Sequence, residues 1–258
     1  MISVDKRSPI TMQPVSDLKG KTVLLTGGAR RLGKAMVLAL AESGAKVAFT
    51  YLSSSTEAAE TLHQVQRSRA EGIALRCDLR EESGVQLMIT QVLEAFGAID
   101  ILINNAGLFQ TARLEEITTE QWDSLFAVNV RAPFLVSRHC IPHLRSRRGR
   151  IINLGSLGAL KPWATHAHYC SSKAALHMLT QVMAKALAPE IAVNCVAPGM
   201  IETGPGKDVE LRSRLAARTP MKRNGSPQDV VNAVMYFASA PHFITGQILT
   251  VDGGLGLL

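Results

Sequence analysis

Aromatic residues are scarce in this sequence, and long apolar runs are absent from it. Phe, Trp and Tyr make up 5% of the 258 residues, and no apolar stretch approaches the roughly 20 residues that a membrane-spanning helix needs. The segment 1–19 contains no apolar run of signal-peptide length. These absences predict a soluble protein with no membrane partner and a cytoplasmic location, in which residues 1–19 form a flexible N-terminal arm.

Cysteines are few and widely spaced. The four thiols belong to Cys77, Cys140, Cys170 and Cys195. They form no C-x-x-C pair, and no histidine stands at a metal-ligand spacing from them. The pattern predicts reduced, mostly buried thiols in a reducing compartment, and it offers no candidate metal ligands.

The net charge is +7, and basic residues cluster at Arg145, Arg147, Arg148 and Arg150. No nucleic-acid binding motif accompanies the cluster, and few aromatic residues are available to stack on bases. Cations are favourable at the C-terminal end of a helix, which accounts for the cluster. We therefore expect no nucleic-acid partner, and a positive field that attracts an anionic cofactor or substrate.

Short apolar runs alternate with longer amphipathic stretches. The runs are rich in Val, Ile and Leu without strict alternation, which is typical of parallel strands buried on both faces. The predicted strands are Thr22–Thr26, Lys46–Thr50, Ile73–Cys77, Ile101–Asn104, Arg150–Leu154, Ala192–Val196 and Gln247–Val251. The predicted helices include Leu32–Ser43, Thr56–Ala70, Val85–Phe96, Gln121–Leu144 and His166–Ala188. The pattern predicts an α/β fold with a Rossmann-like, doubly wound, seven-stranded parallel sheet flanked by helices, in one catalytic domain over residues 20–258.

Residues 201–223 break this rhythm. A Gly-Pro-Gly turn is followed there by a basic stretch with Arg212, Arg214 and Arg218. Insertions after the carboxyl end of a strand lie over the ligand crevice of a doubly wound fold. We therefore expect this segment to form a substrate lid.

A glycine-rich turn follows the first predicted strand. It reads Thr26-Gly27-Gly28-Ala29-Arg30-Arg31-Leu32-Gly33 and leads into a helix. Glycine permits positive φ and close backbone approach, and the helix N-terminus offers free N–H groups to a phosphate. The position of the turn between a strand and a helix indicates a nucleotide site.

An acid/base pair lies further along the same domain. Tyr169 and Lys173 are four residues apart on a predicted helix, and Ser156 lies upstream of them. Positions i and i+4 share one face of a helix. We therefore expect the Lys173 ammonium to favour the ionised form of the Tyr169 phenol.

These motifs together resemble the single-domain short-chain dehydrogenase/reductase family. The family's phosphate turn reads T-G-x-x-x-G-x-G, and this chain has Arg31 where the middle glycine would stand. The N-N-A-G motif of the family is similar to residues 104–107 here. Arginine followed by Leu-Gly resembles the pteridine reductase branch.

The resemblance implies a catalytic tetrad of Asn129, Ser156, Tyr169 and Lys173, which match the family in order and spacing. Tyr169 would protonate the alkoxide that forms when hydride reaches a carbonyl carbon. Ser156 would orient the carbonyl oxygen, and Lys173 would also reach the nicotinamide ribose. Asn129 would hold a water that links Lys173 to solvent.

The resemblance also implies a dinucleotide cofactor. No acid stands at the end of the second strand, where an NAD enzyme would bind the adenine ribose, whereas Arg30, Ser53 and Ser54 suit a 2′-phosphate. NADP(H) is therefore the predicted cofactor. The implied contacts are Gly27, Arg30, Arg31, Leu32, Gly33, Ser53, Ser54, Asp78, Leu79, Asn105, Ala106, Gly107, Tyr169, Lys173, Pro198, Gly199, Ile201 and Thr203.

Three substrate classes remain open at this point. Ser156 fits an NADPH-dependent carbonyl reductase, with Ser156 and Tyr169 contacting the substrate. Arg31 and Phe109 resemble a pteridine reductase, in which Phe109 would stack on the pterin, although such enzymes commonly place an Asp at the Ser156 position. A 3-oxoacyl-acyl carrier protein reductase ranks lower, because Leu135 and Glu190 stand where its docking arginines would align.

Two further expectations concern binding. The alternative from another functional class, a non-enzymatic one, is a redox sensor that binds NADP(H) without turnover, and the intact tetrad argues against it.

Relatives pair through the helices that hold Asn129 and Tyr169 and through the C-terminal strand. The resemblance therefore implies a homotetramer or a homodimer.

Overall fold

Seven parallel strands form one sheet at the centre of the structure. The computed structural model describes residues 18–204 and 209–258. The strands are β1 (Thr22–Leu25), β2 (Lys46–Tyr51), β3 (Gly72–Arg76), β4 (Ile101–Asn104), β5 (Arg150–Leu154), β6 (Ala192–Pro198) and β7 (Ile248–Val251). Their order in the sheet is β3-β2-β1-β4-β5-β6-β7. The predicted Rossmann-like sheet is confirmed, and its strands differ from the predicted ones by a residue or two at their ends.

Helices cover both faces of this sheet. They are α1 (Arg31–Glu42), α2 (Ser55–Arg67), α3 (Glu82–Phe96), α4 (Thr119–Phe126), α5 (Ala132–Ser146), α6 (Ala167–Leu187), α7 (Val209–Arg218) and α8 (Pro227–Ser239). Val23 and Leu25 pack against the α1 and α8 side, whereas Leu24 packs against the α3, α5 and α6 side. Burial on both faces explains why the strands read as continuous apolar runs.

The strand order of the sheet reverses between β1 and β4. β2 and β3 lie on one side of β1, and β4 to β7 lie on the other. The connections that leave the carboxyl ends of β1 and β4 therefore diverge and leave a crevice between them, which is where doubly wound folds bind ligands. The glycine-rich turn and residues 105–109 both lie at this crevice.

The predicted helix over 121–144 is a continuous helical stretch whose hydrogen bonding changes in the middle. α4 passes into a π-helical segment, Ala127–Arg131, before α5 begins. The sequence period does not reveal this change, because the bonds that favour it are long-range ones from Asn129 to Leu108 and Ser172. Such π segments are frequent at functional sites.

Most of the predicted N-terminal arm lies outside the described residues. Leu18, which the prediction placed in the arm, is 3% exposed and donates its N–H to the carbonyl of Ser43 at 3.1 Å. The predicted arm is therefore too long at its C-terminal end, because burial of an apolar side chain fixes the chain there. Within the predicted lid, residues 205–208 lie outside the described part, and α7 contains the three predicted arginines.

The basic cluster near residue 147 is bonded within the protein. Arg147 pairs with buried Asp100 at 3.1 Å, and Arg150 donates to the carbonyl of Ala240 at 2.6 Å. Arg145 lies 3.9 Å from Glu190. In the part of the chain that the structure describes, no helix combines the length and apolarity that crossing a membrane requires.

Candidate active site

Glycine is needed in the turn between β1 and α1 for two different reasons, its backbone conformation and the lack of space for a side chain. Gly27 has a φ of +72°, a left-handed conformation that glycine adopts without steric cost. A Cβ on Gly33 would lie 2.0 Å from the carbonyl oxygen of Gly27 and 2.9 Å from Nδ2 of Asn105. The backbone of the turn therefore packs directly against α1 and against the segment that follows β4.

Asn105 braces this turn. Its side-chain amide donates to the carbonyl oxygens of Thr26 at 3.0 Å and Gly27 at 2.8 Å. The hydroxyl of Thr26 accepts the N–H groups of Asn105 and Ala106, both at 3.0 Å. Asn105, a predicted cofactor contact, thus uses its side-chain donors within the protein.

Arg31 occupies a left-handed backbone conformation at the start of α1. Its φ is +51°, in a region that costs a residue with a Cβ roughly 1–2 kcal/mol. The middle glycine of the resembled turn would adopt this conformation without that cost. The Arg31 side chain is exposed and lines the crevice beside the turn.

A cleft of about 460 Å³ opens at the carboxyl ends of β1 to β4. Its walls come mainly from the four connections that leave these strands. The predicted contacts that line it are Gly27, Arg30, Arg31, Leu32, Gly33, Ser53, Ser54, Asp78, Leu79, Asn105, Ala106 and Gly107.

The charge of this cleft is mainly positive. Asp78 is the acidic residue of the lining, and Arg80 pairs with it at 2.6 Å. Hydrogen bonds from the Arg80 guanidinium hold the pKa of the Asp78 carboxyl below its usual range. Arg30 and Arg31 face the same cleft without an acid after β2. Within residues 18–204 and 209–258, no group of three or more His, Cys, Asp or Glu is placed to hold a metal ion.

Asn129 connects the cleft to α6. It is fully buried in the π-helical segment. Its Oδ1 accepts the N–H of Leu108 at 2.8 Å, and its Nδ2 donates to the carbonyl of Leu108 and to the hydroxyl of Ser172, both at 3.0 Å. Leu108 lines the cleft, so one amide side chain holds the cleft wall at a fixed position relative to α6.

The predicted tetrad is brought together by this arrangement. Tyr169 and Lys173 lie in the first two turns of α6, and Lys173 Nζ is 6.0 Å from the centroid of the Tyr169 ring. Lys173 is 5% exposed and donates to the carbonyl of Leu154 at 2.7 Å. Ser156, two residues after the end of β5, hydrogen-bonds Tyr169. Asn129 reaches the same helix through Ser172.

Burial has the largest effect on the protonation of Tyr169. It raises the pKa of the phenol, and the hydrogen bond to Ser156 opposes this shift. Burial also lowers the pKa of Lys173 to about 8, so this group is still mostly an ammonium near neutral pH, and the expectation that it favours the ionised phenol stays a prediction. The ammonium is also held by the carbonyl of Leu154. Tyr169 is therefore protonated near neutral pH, which is the form that a proton donor requires.

His177 lies beneath Ser156, and sequence reasoning missed it. Its Nε2 accepts the backbone N–H of Ser156 at 3.4 Å, and a Cβ on Gly155 would lie 2.1 Å from that nitrogen. Burial, assisted by the charge of Lys173, lowers the pKa of His177 to about 4. The ring is thus neutral and supports the backbone at Ser156. Its spacing of four residues from Lys173 on one helix was the available signal.

Three ring side chains surround Tyr169, and we call them the aromatic collar: Phe109, Trp163 and His166. Phe109 meets the Tyr169 ring edge-on, with centroids 4.8 Å apart, and Trp163 lies parallel to it at 6.1 Å. His166 is 4.9 Å from Phe109 and 5.4 Å from Trp163. Sequence reasoning named Phe109 but missed the other two, whose signal was a tryptophan in the connection between Ser156 and Tyr169.

The remaining predicted cofactor contacts lie at the carboxyl end of β6, outside the lining of the 460 Å³ cleft. Pro198 ends β6, and Gly199 follows it. Ile201 forms an isolated bridge with Gly225, and Thr203 is exposed at the start of the predicted lid. These residues lie at the same edge of the sheet as the cleft. Their strand, β6, is two places beyond β4 in the sheet order.

A family model described as enoyl-(acyl carrier protein) reductase matches residues 27–256. The match begins in the glycine-rich turn and extends beyond β7, so it includes both the cleft and the tetrad. The chain belongs to the short-chain dehydrogenase/reductase family. This membership confirms the family that the motifs indicated.

Two relatives of this short-chain dehydrogenase/reductase illustrate the range of the family. The chain is 36% identical over 255 residues to "Short chain dehydrogenase mdpC" of Emericella nidulans, which covers 92% of this chain and 96% of that protein. It is 34% identical over 249 residues to "3beta-hydroxysteroid dehydrogenase 1" of Eggerthella lenta, with 93% and 95% covered.

Solved structures of other family members share the fold. A short-chain dehydrogenase/reductase from Serratia marcescens superimposes with a TM-score of 0.88 at 36% identity, over 93% of this chain and 99% of that one. A dehydrogenase/reductase from Sinorhizobium meliloti does so with a TM-score of 0.87 at 38% identity, over 93% and 96%.

The strained turn predicts that Arg31→Gly stabilises this short-chain dehydrogenase/reductase. We expect the free energy of unfolding to rise by about 0.5–1 kcal/mol, because glycine adopts the left-handed conformation without strain. Arg69→Gly is the matched control, since Arg69 has a φ of +61° and lies outside the cleft. Urea unfolding at one protein concentration measures both. A loss of stability in Arg31→Gly, with a gain in Arg69→Gly, would contradict strain at the turn.

The buried lysine predicts a pH-dependent effect of Lys173→Met. Folding lowers the pKa of Lys173 from 10.5 to about 8, so between these values the unfolded chain binds more protons and wild-type stability rises with pH. The methionine variant lacks this rise. The stability of the variant minus that of the wild type is therefore expected to fall by about 2 kcal/mol from about pH 7 to about pH 10.

Lys185→Met serves as the control for this experiment, because Lys185 is exposed on the same helix. Its stability difference from the wild type is expected to stay level over the same pH range. Urea unfolding at several pH values gives both curves. A Lys173→Met curve parallel to that of Lys185→Met would show that Lys173 is not a buried, pKa-shifted cation.

Proposed function

We propose that this short-chain dehydrogenase/reductase uses NADPH to reduce the carbonyl group of a small molecule, with Tyr169 as the proton donor. The observation that supports this most directly is the grouping of Tyr169 with Lys173 and Ser156, where burial raises the pKa of the phenol and so favours its protonated form. Lys173 lies one helical turn away, and Asn129 joins the group to the cleft. A redox sensor without turnover would not need this arrangement.

The cleft supports NADP(H) as the cofactor. Members of the family use NAD(P)(H), and the close packing of Gly27 and Gly33 lets backbone N–H groups and the N-terminus of α1 approach a pyrophosphate. Arg30 is exposed at the cleft, and Ser53 and Ser54 follow β2 where an acid would repel a 2′-phosphate. Pairing with Arg80 compensates the charge of Asp78.

The chain's own residues then supply the proton chemistry. NADPH, when bound, supplies a hydride to the carbonyl carbon. Tyr169 gives its proton to the carbonyl oxygen, and Ser156 orients that oxygen by a hydrogen bond. Lys173 holds positive charge behind the phenol. Both donors of the Asn129 amide bond to Leu108 and Ser172, so we assign Asn129 a positioning role in addition to the water-holding role that the resemblance implies.

Reduction of a dihydropteridine to a tetrahydropteridine is the second candidate function. Two observations favour it: Arg31 replaces glycine at the cleft, and Phe109 is 58% exposed beside Tyr169. Against it stands Ser156, because a hydroxyl cannot replace the carboxylic acid that protonates a ring nitrogen. The carbonyl reductase therefore ranks first.

A 3-oxoacyl-acyl carrier protein reductase ranks third. The matching family model carries an acyl carrier protein name, and α7 exposes Arg214 and Arg218, which would attract an acidic carrier. However, Leu135 is buried and Glu190 is acidic at the positions where docking arginines would stand. Electrostatic complementarity at that surface is therefore weak.

We also propose that the chain self-associates, as a homotetramer or a homodimer, through α5 and α6. Phe134 on α5 and Met178 and Val182 on α6 are 42%, 59% and 54% exposed. Leu179 and Phe134 line a groove of about 620 Å³ between these helices and α4. A second copy that places the same helices over this apolar face would cover it.

Two further proposals concern residues 201–223 and the cellular location. We propose that the segment is a substrate lid whose base is held by Glu202, which pairs with Arg212 at 2.8 Å and donates its N–H to the carbonyl of Gly225 at 2.8 Å.

All four cysteines are free thiols. This supports a cytoplasmic location, where thiols stay reduced.

The cofactor proposal predicts selective loss of NADPH binding in Arg30→Ala. We expect affinity for NADPH to fall about tenfold and affinity for NADH to change less than about twofold, because a charged hydrogen bond to the 2′-phosphate is lost. Dinucleotide fluorescence titrations measure both affinities. Arg67→Ala, an exposed arginine on α2 outside the cleft, is the control. Equal weakening of NADPH and NADH would contradict a 2′-phosphate contact.

The mechanism predicts that Tyr169→Phe lowers kcat about a hundredfold or more, because the proton donor is lost. NADPH oxidation is followed with a small ketone, a 3-oxoacyl thioester and dihydrobiopterin. Tyr236→Phe on α8, with a half-exposed ring, is the matched control and should retain activity. Full turnover by Tyr169→Phe would overturn the mechanism, and turnover of dihydrobiopterin alone would replace the first candidate function with the second.

A further inference from the structure

The aromatic collar concentrates ring side chains next to Tyr169. Phe, Trp and Tyr make up 5% of the chain, yet Phe109, Trp163 and Tyr169 meet here with His166 between the first two. Phe109 keeps 58% of its surface exposed despite these contacts. The collar therefore presents apolar ring surface to whatever approaches the Tyr169 hydroxyl.

The collar is held in place before any substrate binds. Each ring nitrogen of His166 is hydrogen-bonded to a threonine hydroxyl. Nε2 bonds to Thr111 and Nδ1 to Thr165, both at 3.0 Å. The N–H of Ala112 donates to the carbonyl of Thr165 at 3.0 Å. These bonds join the segment after β4 to the segment before α6. Neither segment has to be ordered by the ligand, which lowers the cost of binding.

The collar lacks fixed charge. Burial lowers the pKa of His166, which keeps its ring neutral. The cations of the two segments point elsewhere, since Arg113 pairs with Glu115 at 2.8 Å and Lys161 donates to backbone carbonyl groups of the C-terminal 3₁₀ turn. None of the three collar residues therefore carries a charge that could pair with a carboxylate or phosphate close to the reacting carbonyl.

The collar offers a heterocycle few polar partners, and the indole N–H of Trp163 is the donor that its three rings keep available. Both ring nitrogens of His166 are occupied by Thr111 and Thr165. A pterin exposes several ring nitrogens and an amino group, which lose hydrogen bonds when they are buried without partners. A carbocyclic aromatic ring has no such cost and gains edge and face contacts with the collar.

We propose that the aromatic collar selects a ketone attached to a flat, uncharged, carbocyclic aromatic ring, which packs against Phe109 and Trp163 while its carbonyl oxygen reaches Tyr169 and Ser156. This substrate class rests on the proposed carbonyl reduction. It makes Trp163 and Phe109 specificity-determining residues, and it makes His166 a positioning residue for both.

The test compares two ketones of matched size, acetophenone and cyclohexyl methyl ketone, which differ in the aromaticity of one ring. The measured quantity is the ratio of their kcat/KM values. Trp163→Leu and Phe109→Leu should each lower this aryl-to-alicyclic ratio about twofold to tenfold relative to the wild type, the range that an aromatic pair contributes. Comparison with the wild type cancels the intrinsic reactivity of the two ketones.

Trp122→Leu is the control, because Trp122 stacks on Phe126 on α4, away from the collar. Its ratio should equal that of the wild type. An unchanged ratio in both collar variants, with turnover of both ketones, would overturn the collar proposal while leaving the proposed reduction intact. If the wild type reduced neither these ketones nor the 3-oxoacyl thioester, the proposed function would fail, and a binding measurement would decide the collar separately.

That measurement uses Trp122→Phe, which leaves Trp163 as the single tryptophan of the chain. We expect acetophenone, added to the NADP⁺ complex, to change Trp163 emission saturably, and cyclohexyl methyl ketone to do so at concentrations at least about tenfold higher. Adding Phe109→Leu should weaken the acetophenone response. Equal responses to both ketones, or none to either, would overturn selection by the collar.

Discussion

The amide side chain of Asn129 is the interaction on which the geometry of the site depends. It bonds both backbone groups of Leu108 and the hydroxyl of Ser172, and it is completely buried. The connection after β4 and the first turns of α6 would otherwise share no polar link at this depth. The π-helical segment turns Asn129 inward to make these bonds. A local irregularity of one helix thereby fixes the distance between the nucleotide cleft and the phenol.

Desolvation governs the charges around this amide. Lys173 is almost fully buried, and its pKa falls to about 8 even though a carbonyl oxygen bonds it. Tyr169 is partly buried, and desolvation raises its pKa. Burial therefore pushes both groups toward their neutral forms. A protonated phenol beside a readily deprotonated amine is an arrangement suited to delivering one proton and then replacing it.

Different interactions shape the cleft and the collar. The cleft depends on backbone approach, with Asn105 and Thr26 bonding the turn so closely that Gly33 has no space for a Cβ. Its shape suits a ligand whose phosphates bind N–H groups, and this does not vary with the substrate. The collar depends on side chains of two loops, and substitutions there can change the substrate without disturbing the sheet. Cofactor use and substrate choice are thus separable in this fold.

The sequence alone was enough to predict the parallel strands and the glycine turn, because apolar periodicity and short-range spacing are local properties, and its resemblance to the family implied the tetrad. Other features depend on contacts between distant segments. The protonation of Tyr169 depends on burial by distant segments, and the bracing role of Asn105 depends on its contact with Thr26 across the sheet. Trp163 and His166 joined Phe109 only because two loops far apart in sequence meet at the carboxyl edge. Such features follow from long-range packing and solvent exclusion, which leave no periodic trace along the chain.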